Sequence, residues 1–308
     1  MLFCLKNKIV LIFFLIAEVI AAQQIGDPDY NPVINNPAYE PGEGSVIYID
    51  EAHNNFHTME ERYKPFADLL IKDGYVVKSL KDTISRNTLD DADILVISNA
   101  LNTRNTEEWT LPTPSAFTDS EIENIAKWVD EGGSLFLIAD HMPFPGAAGK
   151  LADMFGFKLN NGFAFDTTAM RSPALFTRKD GTLKDNFITN GLNDEDYVDS
   201  IYSFTGEAFE IPGDATPVLI LNNNFVAFMP DTAWSFDVST PKKSVAGWSQ
   251  GAVENYGNGK VAIWGEAAMF SAQVAGQNKT KFGMNAPEAK YNSQLLLNIT
   301  HWLDNLDE

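Results

Sequence analysis

The stretch that most constrains this chain is Gly132–Leu151, GGSLFLIADHMPFPGAAGKL. Its apolar run suits a strand, Ser134–Ala139, covered on both faces, as in a parallel sheet. The strand runs straight into Asp140 and His141. A Pro/Gly corner follows, and a helix is expected from near Gly146. In an open α/β sheet, ligands sit outside the carboxyl ends of the strands. Asp140 and His141 therefore stand where such a fold does its chemistry.

The flanking sequence repeats the pattern. Ser45–Asp50, Tyr75–Leu80 and Ile94–Ser98 are short apolar runs suited to strands. Met59–Asp73 has Tyr63, Phe66, Leu69 and Leu70 at helical spacing, with Gly74 as the C-cap. Leu101–Phe117 is a long loop. Asp119 or Ser120 is placed to cap a helix over Glu121–Glu131, which closes on Gly132-Gly133. This alternation predicts an α/β fold with a doubly wound, mostly parallel sheet. Beyond Phe157, β-prone pieces dominate: Ala174–Thr177, Ser203–Phe209, Val218–Leu221, Phe225–Met229, Val245–Gln250 and Val261–Trp264. They are expected to extend the same sheet in antiparallel fashion, with a hairpin connection over Ala252–Gly259. Ala289–Asn305 closes the chain as a helix carrying Leu295, Leu296, Ile299, Trp302 and Leu303.

Three segments follow from composition. Residues 1–22 have Lys6 and Lys8 before the apolar Ile9–Ile16, then small residues suited to cleavage, which is the pattern of a signal peptide. The expectation is an exported protein, periplasmic or secreted, with no stable membrane anchor after cleavage. Residues 23–44, rich in Pro, Asn and Gly, form an extended leader without regular structure. Residues 45–308 form a single domain. The one cysteine, Cys4, lies in the first segment, so the mature chain has no disulfide and no thiolate. A formal net charge of −20 argues against nucleic acid, whose phosphates it would repel. It favours neutral or cationic ligands, although a solvated acidic surface alone also accounts for it.

The chain has four histidines. His301 lies inside the closing helix beside Trp302 and reads as a packing residue. His53, His57 and His141 all fall just after expected strands. If the first and fourth strands are neighbours, their ends gather His53, His57, Asp140 and His141. The strand Val261–Trp264 adds Glu266 at the same rim. Histidine suits proton transfer near neutral pH and is a common metal ligand. Two chemistries fit. His141, Asp140 and Glu266 are candidates for metal-free acid/base catalysis. Alternatively, His53, His57 and His141 are candidate ligands of a divalent ion such as zinc. Asn54 and Asn55 are candidate donors to a substrate, and Phe144 a candidate binding surface with Phe56, Trp109, Phe163 and Phe165. Asp166 and Arg171 read as loop residues. Each strand-end residue also has a structural alternative, as a cap or turn former. No GxGxxG, GxxxxGK[ST] or GxSxG motif is present.

The segments SVIYIDEAHNNFHT, DADILVIS, FTDSEIENIAKWVDEGGSLFLIADH, LADMFGF, GKVAIWGEAAMF and YNSQLLLNITHWL together resemble the class I glutamine amidotransferase-like superfamily. The resemblance is to its divergent bacterial branch, which includes domains attached to unsaturated rhamnogalacturonyl hydrolases and gliding-motility transporter auxiliary proteins. It spans most of Ser45–Leu303, with residues 158–258 matching only loosely. It implies a flavodoxin-like fold with a site at the elbow after the fourth strand. In true amidotransferases that elbow carries a cysteine. Here it carries Asp140-His141-Met142, which excludes glutamine hydrolysis by a thiolate. The resemblance leaves two expectations: a hydrolase-like enzyme acting on a small carbohydrate-related molecule or glycan fragment, or an inactive module that binds a glycan or a partner protein.

Overall fold

A computed structural model describes residues 24–169 and 174–306. The expected signal peptide and Arg171 lie outside the described residues. Four parallel-sheet strands come first: β1 (Val46–Asp50), β2 (Val76–Leu80), β3 (Ile94–Ser98) and β4 (Ser134–Ile138). Later in the chain, β5 (Ser249–Tyr256) and β6 (Gly259–Trp264) complete the centre of the sheet. The order is β2-β1-β3-β4-β6-β5, continued by Phe209–Glu210 and Lys158–Leu159, with Thr216–Ile220 also pairing β5. All ladders from β2 to β6 are parallel, and those beyond are antiparallel.

Alternation of side chains explains why β3 and β4 read as unbroken apolar runs. Ile94, Val96, Phe136 and Ile138 face one core, with Phe66 and Leu70 of helix α1 (Lys64–Lys72). Leu95, Ile97, Leu135 and Leu137 face the other, with Ile122 and Ile125 of α2 (Asp119–Asp130) and Leu151 of α3 (Phe144–Met154). The last helix, α4 (Asn292–Leu303), joins the first core through Leu295, Leu296 and Ile299. Gly132, at φ 119°, turns the chain from α2 into β4. Next to it, a Cβ on Gly133 would lie 2.2 Å from the Trp128 ring.

Several expectations are corrected. The first and fourth strands are not neighbours, because β3 lies between them. Helix α1 begins five residues later than expected, with Pro65 in its first turn. This leaves Glu51–Tyr63 as a long connection carrying His53 and His57. The α2 cap is Thr118, in a reciprocal box with Glu121. The later strands do not all extend the main sheet: Ala174–Thr177 pairs with Ser200–Ser203 in a sheet of two, Phe225–Phe228 lies between Phe163–Asp166 and Lys242–Ser244 in a sheet of three, and Phe209–Glu210 is a strand separate from Ser203. Residues Ala252–Tyr256 are ladder rather than connection, and the hairpin turns only at Gly257-Asn258. The leader is not without structure: Ile25–Gly26 pairs with Ala272–Ala275, a strand whose own hairpin partner is Thr280–Gly283.

His301 is buried, and its Nε2 meets Asp73 Oδ2 at 2.6 Å. Asp73 caps the C-terminus of α1, and its Oδ1 accepts the Ala38 N–H at 2.9 Å. One buried carboxylate thus ties α1, α4 and the leader. Replacing Asp73 with Ala removes both contacts. It is expected to lower stability by about 3 kcal/mol, the sum of two hydrogen bonds to a charged acceptor. Urea unfolding should show a lower midpoint with an unchanged slope.

Candidate functional site

The carboxyl ends of β1, β3, β4 and β6 carry polar side chains that are almost all buried. They divide into two groups. The first is built on β1. His53 Nδ1 lies 2.9 and 3.0 Å from the two oxygens of Asp50, and Nε2 lies 3.0 Å from Glu121 Oε1. Burial alone would push the His53 pKa down, but the two carboxylates override it and hold it above the ordinary value. Glu121 in turn is held low against its own burial by Thr118 and His53. Asn55 donates to Asp50 Oδ2 at 3.0 Å and to the Ser98 carbonyl at 3.3 Å, while its Oδ1 accepts the His53 N–H. The Asn55 amide is therefore committed to the fold rather than offered to a substrate. Asn54 is exposed, sits at φ 47° and donates to the Leu101 carbonyl, as a turn residue does.

These contacts also dismantle the expected metal set. Both ring nitrogens of His53 are occupied by protein carboxylates. Among the described residues no three of His, Cys, Asp and Glu are grouped to hold a metal ion. His53, His57 and His141 do not form one coordination site.

The second group is built on β3, β4 and β6. Asp140 directs Oδ1 back to the His141 N–H at 2.7 Å, and its own N–H goes to Asn99 Oδ1 at 2.9 Å. Burial, and next the Glu266 charge, push the Asp140 pKa well above the carboxylate range. Glu266 is fully buried and is raised to about 7 by burial, although the Ala268 and Met269 N–H groups stabilise its charge at 2.8 and 2.9 Å. Two ionised carboxylates in such surroundings repel each other, so the pair is favoured with one proton.

His141 stands on the Asp140 side of this pair. Its Nδ1 donates to the Met142 carbonyl at 2.8 Å, which leaves Nε2 as the acceptor. Burial lowers its pKa to about 4. Its ring stacks on Phe163 at 4.5 Å and meets Trp234 edge-on at 4.6 Å, with Phe144 and Trp109 at 5.9 and 6.0 Å. Phe144 is fully buried, so it is an inner wall of this aromatic group. His57 lies over Tyr63 at 4.5 Å with Nδ1 3.3 Å from Ser98 Oγ, and burial drives its pKa well down, aided by Arg62 and His141. Asp166 is not a loop residue: it ends the strand Phe163–Asp166, paired with Phe225, and its Oδ1 accepts the Thr168 N–H and hydroxyl in the turn that follows.

The structure thus brings Asp140, His141, Glu266 and His57 together and draws His53 and Asn55 aside. It adds residues that sequence spacing does not single out. Ser98 and Asn99 end β3 as Asp140 and His141 end β4, so the same strand-end signal points to them. Glu207 and Trp234 have no such signal. Glu207 reaches the rim because its N–H donates to the Gly265 carbonyl. Trp234 arrives on a loop clipped to Trp109.

The fold and site define a class: an α/β protein with a large, mostly parallel sheet and a buried His/carboxylate group at its strand ends. No protein-family model matches the chain, and no curated protein matches it. Among solved structures it is similar to the domain described as mmIFT52 N-terminal domain, with 16% identity, a TM-score of 0.58 and coverage of 84% of this chain and 97% of that one. That likeness is one of fold alone. Other neighbours include a protein described as ThuA-like from Bacteroides uniformis, with 13% identity, a TM-score of 0.47 and coverage of 90% and 95%. Another is described as a GMP synthase protein from Thermoplasma acidophilum, with 13% identity, a TM-score of 0.43 and coverage of 86% and 99%.

The two shifted groups act on stability in opposite senses. The His141 contribution is complete above its ordinary 6.5 and is lost as pH falls toward about 4. The Glu266 contribution is complete below its ordinary 4.5 and is lost as pH rises through about 7. In Glu266→Gln the fall in stability between those two values should be shallower by up to about 1.4 kcal/mol per pH unit, one proton's worth of linkage. Denaturant unfolding across pH measures this. NMR titration should find His141 protonating near 4.

Proposed function

We propose that this protein is an exported, hydrolase-like enzyme of the class I amidotransferase-like fold, acting by acid/base chemistry on a small carbohydrate-related substrate. The observation that carries this reading is the buried His141, whose Nδ1 donates to the Met142 carbonyl and leaves Nε2 as acceptor, next to Asp140 and with Glu266 buried after the neighbouring strand. Such opposed groups suit a base and an acid working in one site. His141 Nε2 accepts the proton of an attacking water or hydroxyl. The protonated member of the pair gives its proton to the leaving oxygen. Rings beside His141 offer apolar faces to a sugar ring. The doubly wound arrangement is supported by helices lying in two separate cores. The N-terminal signal pattern and the absence of a cysteine after residue 4 support export.

A second reading has its own observation. Both oxygens of Glu266 accept backbone N–H groups, and His53 and Asn55 are fully engaged within the protein. Such commitment suits a module that binds a glycan or partner protein without turnover.

The test is product release from a panel of di- and oligosaccharides. Wild type is expected to release product. His141→Ala and Glu266→Gln are expected to lower kcat by about 10²-fold or more, the usual contribution of a general acid or base. Thermal unfolding of each variant separates lost chemistry from lost fold. Binding without release by folded wild type favours the module. Neither binding nor release overturns the enzyme reading and the glycan-binding form of the module.

A further inference from the structure

Behind Asp140 and Glu266 lies a third carboxylate that acid/base chemistry does not use. Glu207 is fully buried. Its Oε2 accepts the Asn160 N–H at 2.7 Å, while Oε1 has no hydrogen-bond partner among the described residues. Burial, with the Asp140 charge, pushes its pKa well up. Among the described residues no lysine, arginine or histidine forms an ion pair with Asp140, Glu207 or Glu266. The nearby Arg62 is turned away, stacked 4.0 Å from the Phe56 ring and donating to the Phe56 carbonyl. A second, independent orphan lies on the other side of Asp140. Asn99 is buried, its Oδ1 holds the Asp140 N–H, and its Nδ2 has no hydrogen-bond partner among the described residues. Buried polar groups are ordinarily paired, so two orphans on residues next to Asp140 call for an explanation.

Aromatic rings stand over the same place. Phe163 and Trp234 flank the uncharged His141 ring. Trp234 is half-buried and held at φ 65°, a conformation that bulky residues rarely adopt and that surrounding contacts must impose. Those contacts are visible: the Ala233 N–H donates to the Trp109 carbonyl at 2.8 Å, and the Leu111 N–H to the Asp231 carbonyl at 2.9 Å. Two loops are thereby clipped together and carry both indoles to His141. Unpaired buried carboxylates lack a positive charge. The faces of aromatic rings attract one. A chain of net charge −20 draws cations toward it.

We propose that the rim site takes a ligand bearing a protonated amine, held between the Asp140, Glu207 and Glu266 carboxylates and the Trp109, Phe163 and Trp234 rings. This builds on the carbohydrate-acting reading by naming an amino-substituted sugar as its substrate class. The carboxylates supply the countercharge, the rings exclude water around the cation, and Asn99 Nδ2 donates to a neighbouring oxygen of the ligand.

Calorimetry and thermal unfolding of the wild-type protein with glucosamine, butylamine, glucose, N-acetylglucosamine and calcium chloride test the proposal. Glucosamine and butylamine are expected to bind and raise Tm. Glucose and N-acetylglucosamine are expected to bind at least about tenfold more weakly, the usual size of a charge-assisted contact. Glu207→Gln keeps the shape and removes the charge. It should weaken glucosamine binding about tenfold, and Trp234→Ala should weaken both amines. Binding of butylamine with none of any sugar supports the amine and refutes the carbohydrate reading. Equal binding of glucose, N-acetylglucosamine and glucosamine overturns the amine and leaves the carbohydrate reading standing. Amine affinity unchanged in folded Glu207→Gln overturns the proposal. Stabilisation by calcium that neither amine reproduces also overturns it, in favour of a metal ion.

Discussion

The His53 imidazolium, clamped between Asp50 and Glu121, is the contact on which the rim depends. Asp50 ends β1. Glu121 lies in the first turn of α2, and its Oε1 also accepts the Ile84 N–H. Three separate parts of the chain therefore meet on one buried cation. Burying charge is costly unless its partners and hydrogen bonds are complete. Here both ring nitrogens are used, and Glu121 Oε2 takes the N–H and hydroxyl of Thr118 as well. Asn55 extends the network to the Ser98 carbonyl at the end of β3. The long connection after β1, which lacks helical structure until Lys64, is fixed by this contact and sets His57 beside Ser98.

Against that satisfied half, the β4–β6 half is electrostatically unsatisfied. Asp140, Glu207 and Glu266 are buried with no ion-pair partner among the described residues, and burial raises their pKa values, aided by carboxylate neighbours at Asp140 and Glu207. His141 is buried with aromatic neighbours and falls. Opposite shifts among adjacent groups are a mark of functional sites, because stability alone would have replaced or paired them.

Much of this was legible in the residues. The runs ILVIS and SLFLI fixed buried parallel strands, because only a sheet covered on both faces tolerates such continuity. The polar residues after them located the rim, and His301 within an apolar helix was rightly a packing residue. What sequence spacing could not show was strand order. With β3 between β1 and β4, His53 meets α2 instead of His141. His53 and His141 have the same strand-end signature, yet one is clamped between two carboxylates and the other is buried among aromatic rings. Asp50 stands three residues before His53, but Glu121, Phe163 and Trp234, which make the difference, are contributed by distant segments.

By itself, then, the sequence determined the periodicities: which segments form strands, which form helices, and which strand ends carry polar side chains. Those properties are local, because apolar alternation and turn residues act within a few positions. The tertiary structure alone decided the partners. Glu207 reaches the rim through pairing with Gly265 and Trp234 through a loop clipped to Trp109, while the leader is held by a ladder with Ala272–Ala275. Burial and charge pairing depend on the three-dimensional neighbourhood, so the protonation states at this site were set by packing that no linear spacing records.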